Sequence, residues 1–171
     1  MNQDERQQRI AQFETVHREN GLPVTMQRRV VFEAILERDD HPTADHVYEA
    51  VHVQAPQISR MTVYRILGNL VWLGLVTKTC HPGAVVRFDP KIHQHHHLVC
   101  LDCGGILDLE EERLNKVAWP DVRRLGFEIA DYHIHFRGRC AACRQKLEKT
   151  GSNRAAAVRL RKPRKTLTKP K

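Results

Sequence analysis

The chain predicts an α+β protein: a helical N-terminal half followed by short strands that carry clustered metal-ligand residues. Three observations predict it. Apolar residues recur at helical spacing in four segments before Leu75, each bounded by a capping residue or by a Gly or Pro stop. Beyond Leu75 the apolar runs shorten to strand length and are separated by turns. Two Cys-x-x-Cys pairs, Cys100/Cys103 and Cys140/Cys143, then enclose the last predicted strands.

Each element has its own reason. Asp4 to Asn20 reads as a helix with Ile10, Phe13 and His17 on one face, stopped by Asn20-Gly21. Thr25 caps a second helix carrying Val30, Val31, Ala34 and Ile35. After Asp39-Asp40 and His41-Pro42, Thr43 caps a third whose Ala44, Val47, Tyr48 and Val51 follow i, i+3, i+4, i+7. Pro56 breaks the chain, Ser59 caps a fourth helix with Val63, Ile66, Leu67 and Leu70 inward, and Gly74 ends it. Leu75 to Cys80, a His81-Pro82-Gly83 turn and Ala84 to Asp89 complete a helix-turn-helix with a two-stranded wing. Further on, His97 to Cys103 and Ile106 to Leu109 read as strands, Glu110 to Arg124 as a helix and Phe127 to Phe136 as a strand. The expected division is a winged-helix DNA-binding domain over residues 1–88, an α/β dimerisation and metal-binding domain over 89–150, and a disordered basic tail over 151–171.

Charge is segregated along the 171 residues. The formal net charge of +8 resides in the tail, which holds eight basic residues and no acid, so the rest is formally neutral. A Lys/Arg/Pro/Thr-rich tail without an apolar period is expected to stay unfolded and to be drawn to polyanions. Acids crowd Glu33 to Glu49, whereas Ala50 to Phe88 contains Arg60, Arg65, Lys78 and Arg87 and none. Burying the apolar stripe of the fourth helix leaves Arg60, Tyr64, Arg65 and Asn69 outward, residue types that read bases and phosphates. Thr62 and Arg28 complete the expected contact set for double-stranded DNA.

The N-terminus is polar, and no run approaches the ~18 apolar residues of a membrane span. A cytoplasmic location and reduced thiols are expected, which favours a closed four-cysteine zinc site over two disulfides. The left-over Cys80 reads as a half-buried strand residue. The run His93, His95, His96 and His97 suits a second, harder ion beside carboxylates. His-x-His also occurs in zinc hydrolases, but the Asp-His that follows there is replaced by Leu98 and Val99, and no nucleophile–base arrangement is legible. A non-enzyme without a small-molecule substrate is expected. A constitutive zinc-dependent nucleic-acid scaffold is the other alternative.

Four segments fall in an order that resembles the ferric uptake regulator (Fur) family of bacterial transcription factors. They are Gly21 to Arg28, His41 to Asp45, Ser59 to Arg65 and His95 to Gly104. The resemblance runs from about Gly21 to Cys143. It implies a homodimer that binds a palindromic operator when metal-loaded, usually as a repressor. It further implies that His41, Asp89, His95, His97 and Asp108 hold a regulatory Fe(II) or Mn(II), beside structural zinc on Cys100, Cys103, Cys140 and Cys143. Aspartate at Asp89, where iron-uptake members typically carry glutamate, is similar to the peroxide-responsive (PerR-like) branch, in which peroxide oxidises a ligand histidine; His41 or His95 would be that histidine here. An iron- or zinc-uptake regulator of the same family is the alternative. Pro23 stands where many members place a basic residue, and Met26 and Met61 replace the usual proline and alanine. An extra metal site of the family uses acidic and histidine positions that here are Gln94, His96, Asn115 and Tyr132, so that site is expected to be absent or to be rebuilt with His93 and His133.

Overall fold

Helices begin in this chain where a short polar side chain takes up a free backbone N–H. A computed structural model describes residues 1–79 and 85–149. Helix α1 (Gln3–Glu19) opens with a capping box in which Asn2 and Glu5 exchange side-chain and backbone hydrogen bonds. Thr25, Thr43 and Ser59 accept from the N–H groups of Arg28, His46 and Thr62 to start α2 (Met26–Leu36), α3 (Ala44–Gln54) and α4 (Arg60–Trp72). Helix α4 ends in a Schellman turn: Leu75 N–H donates to Leu70 O and Gly74 N–H to Val71 O, with Gly74 at φ 68°.

The four helices enclose one apolar cluster. Phe13, Val31, Phe32, Ile35, Val47, Val51, Val63, Leu67, Leu70 and Leu75 lie at its fully buried centre, and Phe13 stacks on Phe32 at 4.9 Å. Antiparallel β1 (Thr77–Thr79) and β2 (Arg87–Asp89) close it through Phe88. Strand β2 also joins the segment before α3: Phe88 N–H donates to Pro42 O, and Arg87 to His41 O.

The second sheet has order β4-β3-β5, from β3 (His96–Cys100), β4 (Ile106–Leu109) and β5 (His135–Gly138). Strand β3 is antiparallel to β4 and parallel to β5. Leu98 stands opposite both Leu107 and Phe136, which makes a cross-strand row whose members are 38%, 58% and 45% exposed. Helix α5 (Ala141–Lys149) starts directly after Cys140 and carries Cys143 in its first turn.

Three sequence expectations need correction. Glu110 to Arg124 is not one helix but carries two short 3₁₀ turns, Leu114–Lys116 and Arg123–Leu125. Pro120 supplies no N–H and pushes Trp119 out of the helical region. Phe127 to Phe136 is not one strand either, because pairing begins only where β3 runs alongside, His97 opposite His135. The Tyr132 hydroxyl instead ties this stretch to the first 3₁₀ turn, donating to Leu114 O at 2.6 Å and accepting from Val117 N–H. The third is the strand read over His97 to Cys103, which ends at Cys100; α5 is in addition a helix that no apolar stripe announced. The predicted wing turn with Cys80, and the basic tail, lie outside the described residues.

Candidate metal centre and nucleic-acid face

Three segments meet at one point beside the second sheet. His97 on β3 stands opposite Asp108 on β4, and His95 precedes β3 by one residue on the same side. Asp89 ends β2. His41 reaches in from the turn before α3 with φ 50°, a left-handed conformation costing a non-glycine residue on the order of 1 kcal/mol, held in place by Arg87 on its carbonyl. Side-chain donors of these five residues all lie within 4.8 Å of one another, and four of the residues are buried.

The geometry is that of groups facing a shared centre. The Nε2 atoms of His95 and His97 are 3.1 Å apart, and Asp89 Oδ2 lies 2.7 Å from His95 and 3.2 Å from His41. Asp108 Oδ1 is 2.9 Å from His41 Nε2 yet makes no aligned hydrogen bond. For bonds of about 2.1 Å, neighbouring donors on an octahedral ion are about 3.0 Å apart and opposite ones about 4.2 Å. The observed spread matches. His95 Nδ1 contacts the His93 carbonyl at 2.8 Å, and since a carbonyl only accepts, Nδ1 carries the proton. The lone pair of the neutral ring therefore sits on Nε2, aimed at the cluster, the tautomer a metal requires.

The electrostatics agree. Burial resists ionisation of Asp89 and Asp108, but His41, His95 and His97 hold Asp89 far below the ordinary carboxylate range, and His41 with the Lys91 ammonium brings Asp108 down to about 2. Burial likewise disfavours a charged His41, yet Asp108 and Asp89 lift it to about 9, and Asp89 raises His95. A buried group of three imidazoles and two carboxylates that so strongly attracts positive charge fits a divalent cation, and its N/O set without thiolate suits Fe(II), Mn(II) or Zn(II).

The four cysteines form the second group. Their Sγ atoms lie within 4.8 Å of one another, with Cys103 and Cys140 at 3.9 Å, and none is in a disulfide. Tetrahedral Zn–S bonds of about 2.3 Å place sulfurs about 3.8 Å apart. The first knuckle turns at Gly104 (φ 67°), whose N–H donates to Cys100 O. Arg139 and Asp102 link the two knuckles at 2.6 Å. Burial opposes the Cys100 thiolate, but backbone N–H groups of Cys140, Cys103 and Asp102 bring its pKa to about 6. The Cys143 thiol, hydrogen-bonded to Cys140 and crowded by the other sulfurs, is pushed up to about 12, so these sulfurs do not all ionise without a cation among them.

The structure does not gather His93, His96 and His133 into a third group; among the described residues the two clusters above are those with metal-site geometry. His93 faces Glu110 at 3.5 Å, His96 is fully buried against Tyr132, and His133 stacks on His97.

On the helical unit, Arg28, Arg65 and Asn69 line one groove between the start of α2 and α4, with Pro23 and Thr25. Thr62 lies in the first turn of α4 against Ser59. Arg60 and Tyr64 are exposed, but both bond Asp45 from α3, and Arg60 lies over the Tyr48 ring at 4.6 Å. The face read from sequence as free of acids therefore contains one, supplied by a neighbouring helix. Lys91, also missed, donates its backbone N–H to Asp89 Oδ1 and its ammonium to Asp108 Oδ2. No spacing signal in the sequence announces either contact.

Fold, metal-ligand clusters and sequence agree on a class, the metal-dependent transcription regulators. The chain belongs to the Ferric uptake regulator family, whose model matches residues 19–137. It is 30% identical over 129 residues to the peroxide-responsive repressor PerR of Staphylococcus aureus, covering 75% of this chain and 87% of the relative. The ferric uptake regulator of Pseudomonas aeruginosa with manganese is 27% identical, with a TM-score of 0.61 over 75% of this chain and 97% of that one. The Helicobacter pylori ferric uptake regulator Fur, at 20% identity, shares the fold with a TM-score of 0.65 over 81% of this chain and 93% of its own. Among the described residues no helix is long and apolar enough to cross a membrane.

Proposed function

We propose that the chain is a dimeric, cytoplasmic, DNA-binding repressor switched by a metal at His41, Asp89, His95, His97 and Asp108, and that its branch senses peroxide. The observation that carries the reading is the convergence of five donors from three segments: the turn before α3, the end of the wing, and the second sheet. An ion bound there ties a winged-helix unit (1–88) to a pairing unit (89–150). By differential affinity it favours the form whose two α4 helices sit about one DNA turn, ~34 Å, apart in a dimer on a palindrome. A swing from 1:99 to 99:1 needs roughly 5.5 kcal/mol, within reach of a five-donor site.

Several further observations support the reading. The exposed row of Leu98, Leu107 and Phe136, on a sheet of three strands among the described residues, suits a second copy. The exposed surface around Arg28, Thr62, Arg65 and Asn69, with Arg60 and Tyr64 alongside, suits duplex DNA. A relative with a similar fold is a zinc uptake regulator complexed with zinc and DNA. The cysteine cluster would hold zinc, contributing ~10–16 kcal/mol of apparent binding free energy to a unit with little core of its own.

The peroxide branch rests on Asp89 and on similarity to PerR. Bound Fe(II) would supply the redox chemistry that lets hydrogen peroxide oxidise a neighbouring imidazole. The chain's part is to hold the His41 and His95 rings at the centre and to lose the clamp when one is oxidised. Mn(II)-dependent retardation of a palindromic duplex, and one added oxygen on the His41 or His95 peptide after Fe(II) and peroxide, are the expected results. Metal-dependent retardation with an unchanged mass would instead favour plain iron or zinc regulation, and retardation indifferent to metal would reject the switch.

A further inference from the structure

We infer that Lys91 sets the number of oxygen donors this centre offers, restricting Asp108 to one coordinating oxygen and so leaving the ion a position for a small oxygen ligand such as water or hydrogen peroxide. The inference rests on the metal-site reading proposed above and concerns a residue outside the cluster.

A carboxylate can bind a cation through one oxygen or two. Both carboxylates here present one oxygen inward and have the other taken. Asp89 Oδ2 lies 2.7, 3.2 and 3.6 Å from the Nε2 atoms of His95, His41 and His97, while Asp89 Oδ1 accepts the Lys91 N–H at 2.8 Å. Asp108 repeats the division: Oδ1 lies 2.9, 3.6 and 3.8 Å from the Nε2 atoms of His41, His95 and His97, and Oδ2 sits 2.7 Å from the Lys91 ammonium. One residue thus occupies the outer oxygen of each carboxylate, with its main chain on one and its side chain on the other.

The Asp108 contact is charge-assisted and sheltered, the two side chains being 16% and 32% exposed. Glu110, 3.6 Å away on the same ammonium, keeps Lys91 on this side of the site. Three imidazole nitrogens and two single oxygens make five donors, one fewer than an octahedral ion takes. If Lys91 released Asp108 Oδ2, that oxygen could rotate inward and fill the remaining place. The main-chain contact to Asp89 survives every substitution but proline, so a Lys91 side-chain variant leaves the outer oxygen of Asp89 occupied and frees that of Asp108.

The test uses the full-length, zinc-loaded protein titrated with Mn(II), read by pulsed electron paramagnetic resonance in isotopically labelled water. The wild type is expected to show histidine nitrogen couplings together with a coordinated-water signal. Lys91→Met, with Lys91→Gln as a second variant should methionine disturb folding, is expected to lose the water signal and to bind Mn(II) no more weakly, since a repelling charge has gone and a donor has been gained. Lys91→Arg is expected to restore the water signal. An unchanged water signal in Lys91→Met and Lys91→Gln overturns the inference, whether or not Mn(II) affinity falls. A wild type without histidine nitrogen couplings sinks the metal-site reading itself, a failure visible before any substitution is made.

Discussion

The two halves of this molecule bury opposite kinds of side chain. The cluster of buried apolar residues runs from Phe13 to Phe88 and fills the space between four helices and the wing. The second sheet buries Val99, Cys100 and Ile106, and beside them His95, His96 and His97. The helical unit can be held together by removal of apolar surface from water at about 25 cal/mol per Å², whereas the sheet unit buries far less apolar surface and gathers two sets of metal-ligand side chains instead. On the function proposed above, one chain would combine a unit that reads DNA with a unit whose order depends on what it binds.

Cys100→Ser breaks the comparison where the expected effect is largest. Loss of one of four sulfurs removes much of the ~10–16 kcal/mol attributed to zinc, and the strands β3 to β5 should lose order and pairing with a second copy. Hydrogen exchange is expected to show amides of 96–138 unprotected while those of 26–72 remain slow. A folded dimer with protected β3 amides would show that the sheet unit has a core of its own.

Leu67→Ala is the converse. Leu67 is fully buried in the helical cluster, so the substitution should cost about 2–5 kcal/mol. Chelators should leave that loss unchanged, because no ion contributes to the cluster. Unfolding curves of the helical transition with and without chelator measure it, and a chelator-dependent loss would mean that the two units share their stability.

The two halves also differ in how far their sequence could be read. Caps and stops are local chemistry, so Thr25, Thr43, Ser59 and Gly74 placed the helical unit nearly to the residue. The shared face of His95 and His97 was legible from strand alternation, and Asp108, His41 and Asp89 from family resemblance. Sequence reasoning failed where context outweighed pattern. Pro120 broke the expected helix, β5 began only where β3 offered a partner, and α5 grew from the cysteine knuckle without an apolar stripe. Asp45 on the α4 face and Lys91 on Asp108 are contacts between elements, which no one-dimensional spacing encodes.

His97→Ala sharpens the comparison within the sheet unit by separating its two candidate ion sites. Removing an imidazole on β3 should weaken Mn(II) binding at least about 100-fold, more than loss of an outer partner of a ligand typically costs. Zinc content and the helical melting transition should not change. Calorimetric titration with parallel elemental analysis decides this, and loss of zinc together with Mn(II) would mean that the two clusters are one cooperative site.

The smallest expected effect concerns a histidine of the other half. His17 is as buried as His97, but it lies in the apolar cluster against Phe13, with Nδ1 donating to the Phe13 carbonyl and Nε2 unpartnered. Burial lowers its pKa, outweighing the Phe13 carbonyl, and Arg28 lowers it further, so the folded state binds this proton less readily than the unfolded chain does. Its contribution is complete above the unfolded value of about 6.5 and is lost as pH falls toward the lower folded value, with a slope of at most ~1.4 kcal/mol per pH unit. His17→Leu should flatten that part of the pH dependence of helical-unit stability, measured by denaturant unfolding between about pH 7 and 5. An unchanged slope would place the acid sensitivity of the helical unit elsewhere. A buried imidazole with neither carboxylate nor ion is a liability as pH falls; the same side chain beside Asp89 and Asp108 is paired with carboxylates and is a candidate ligand.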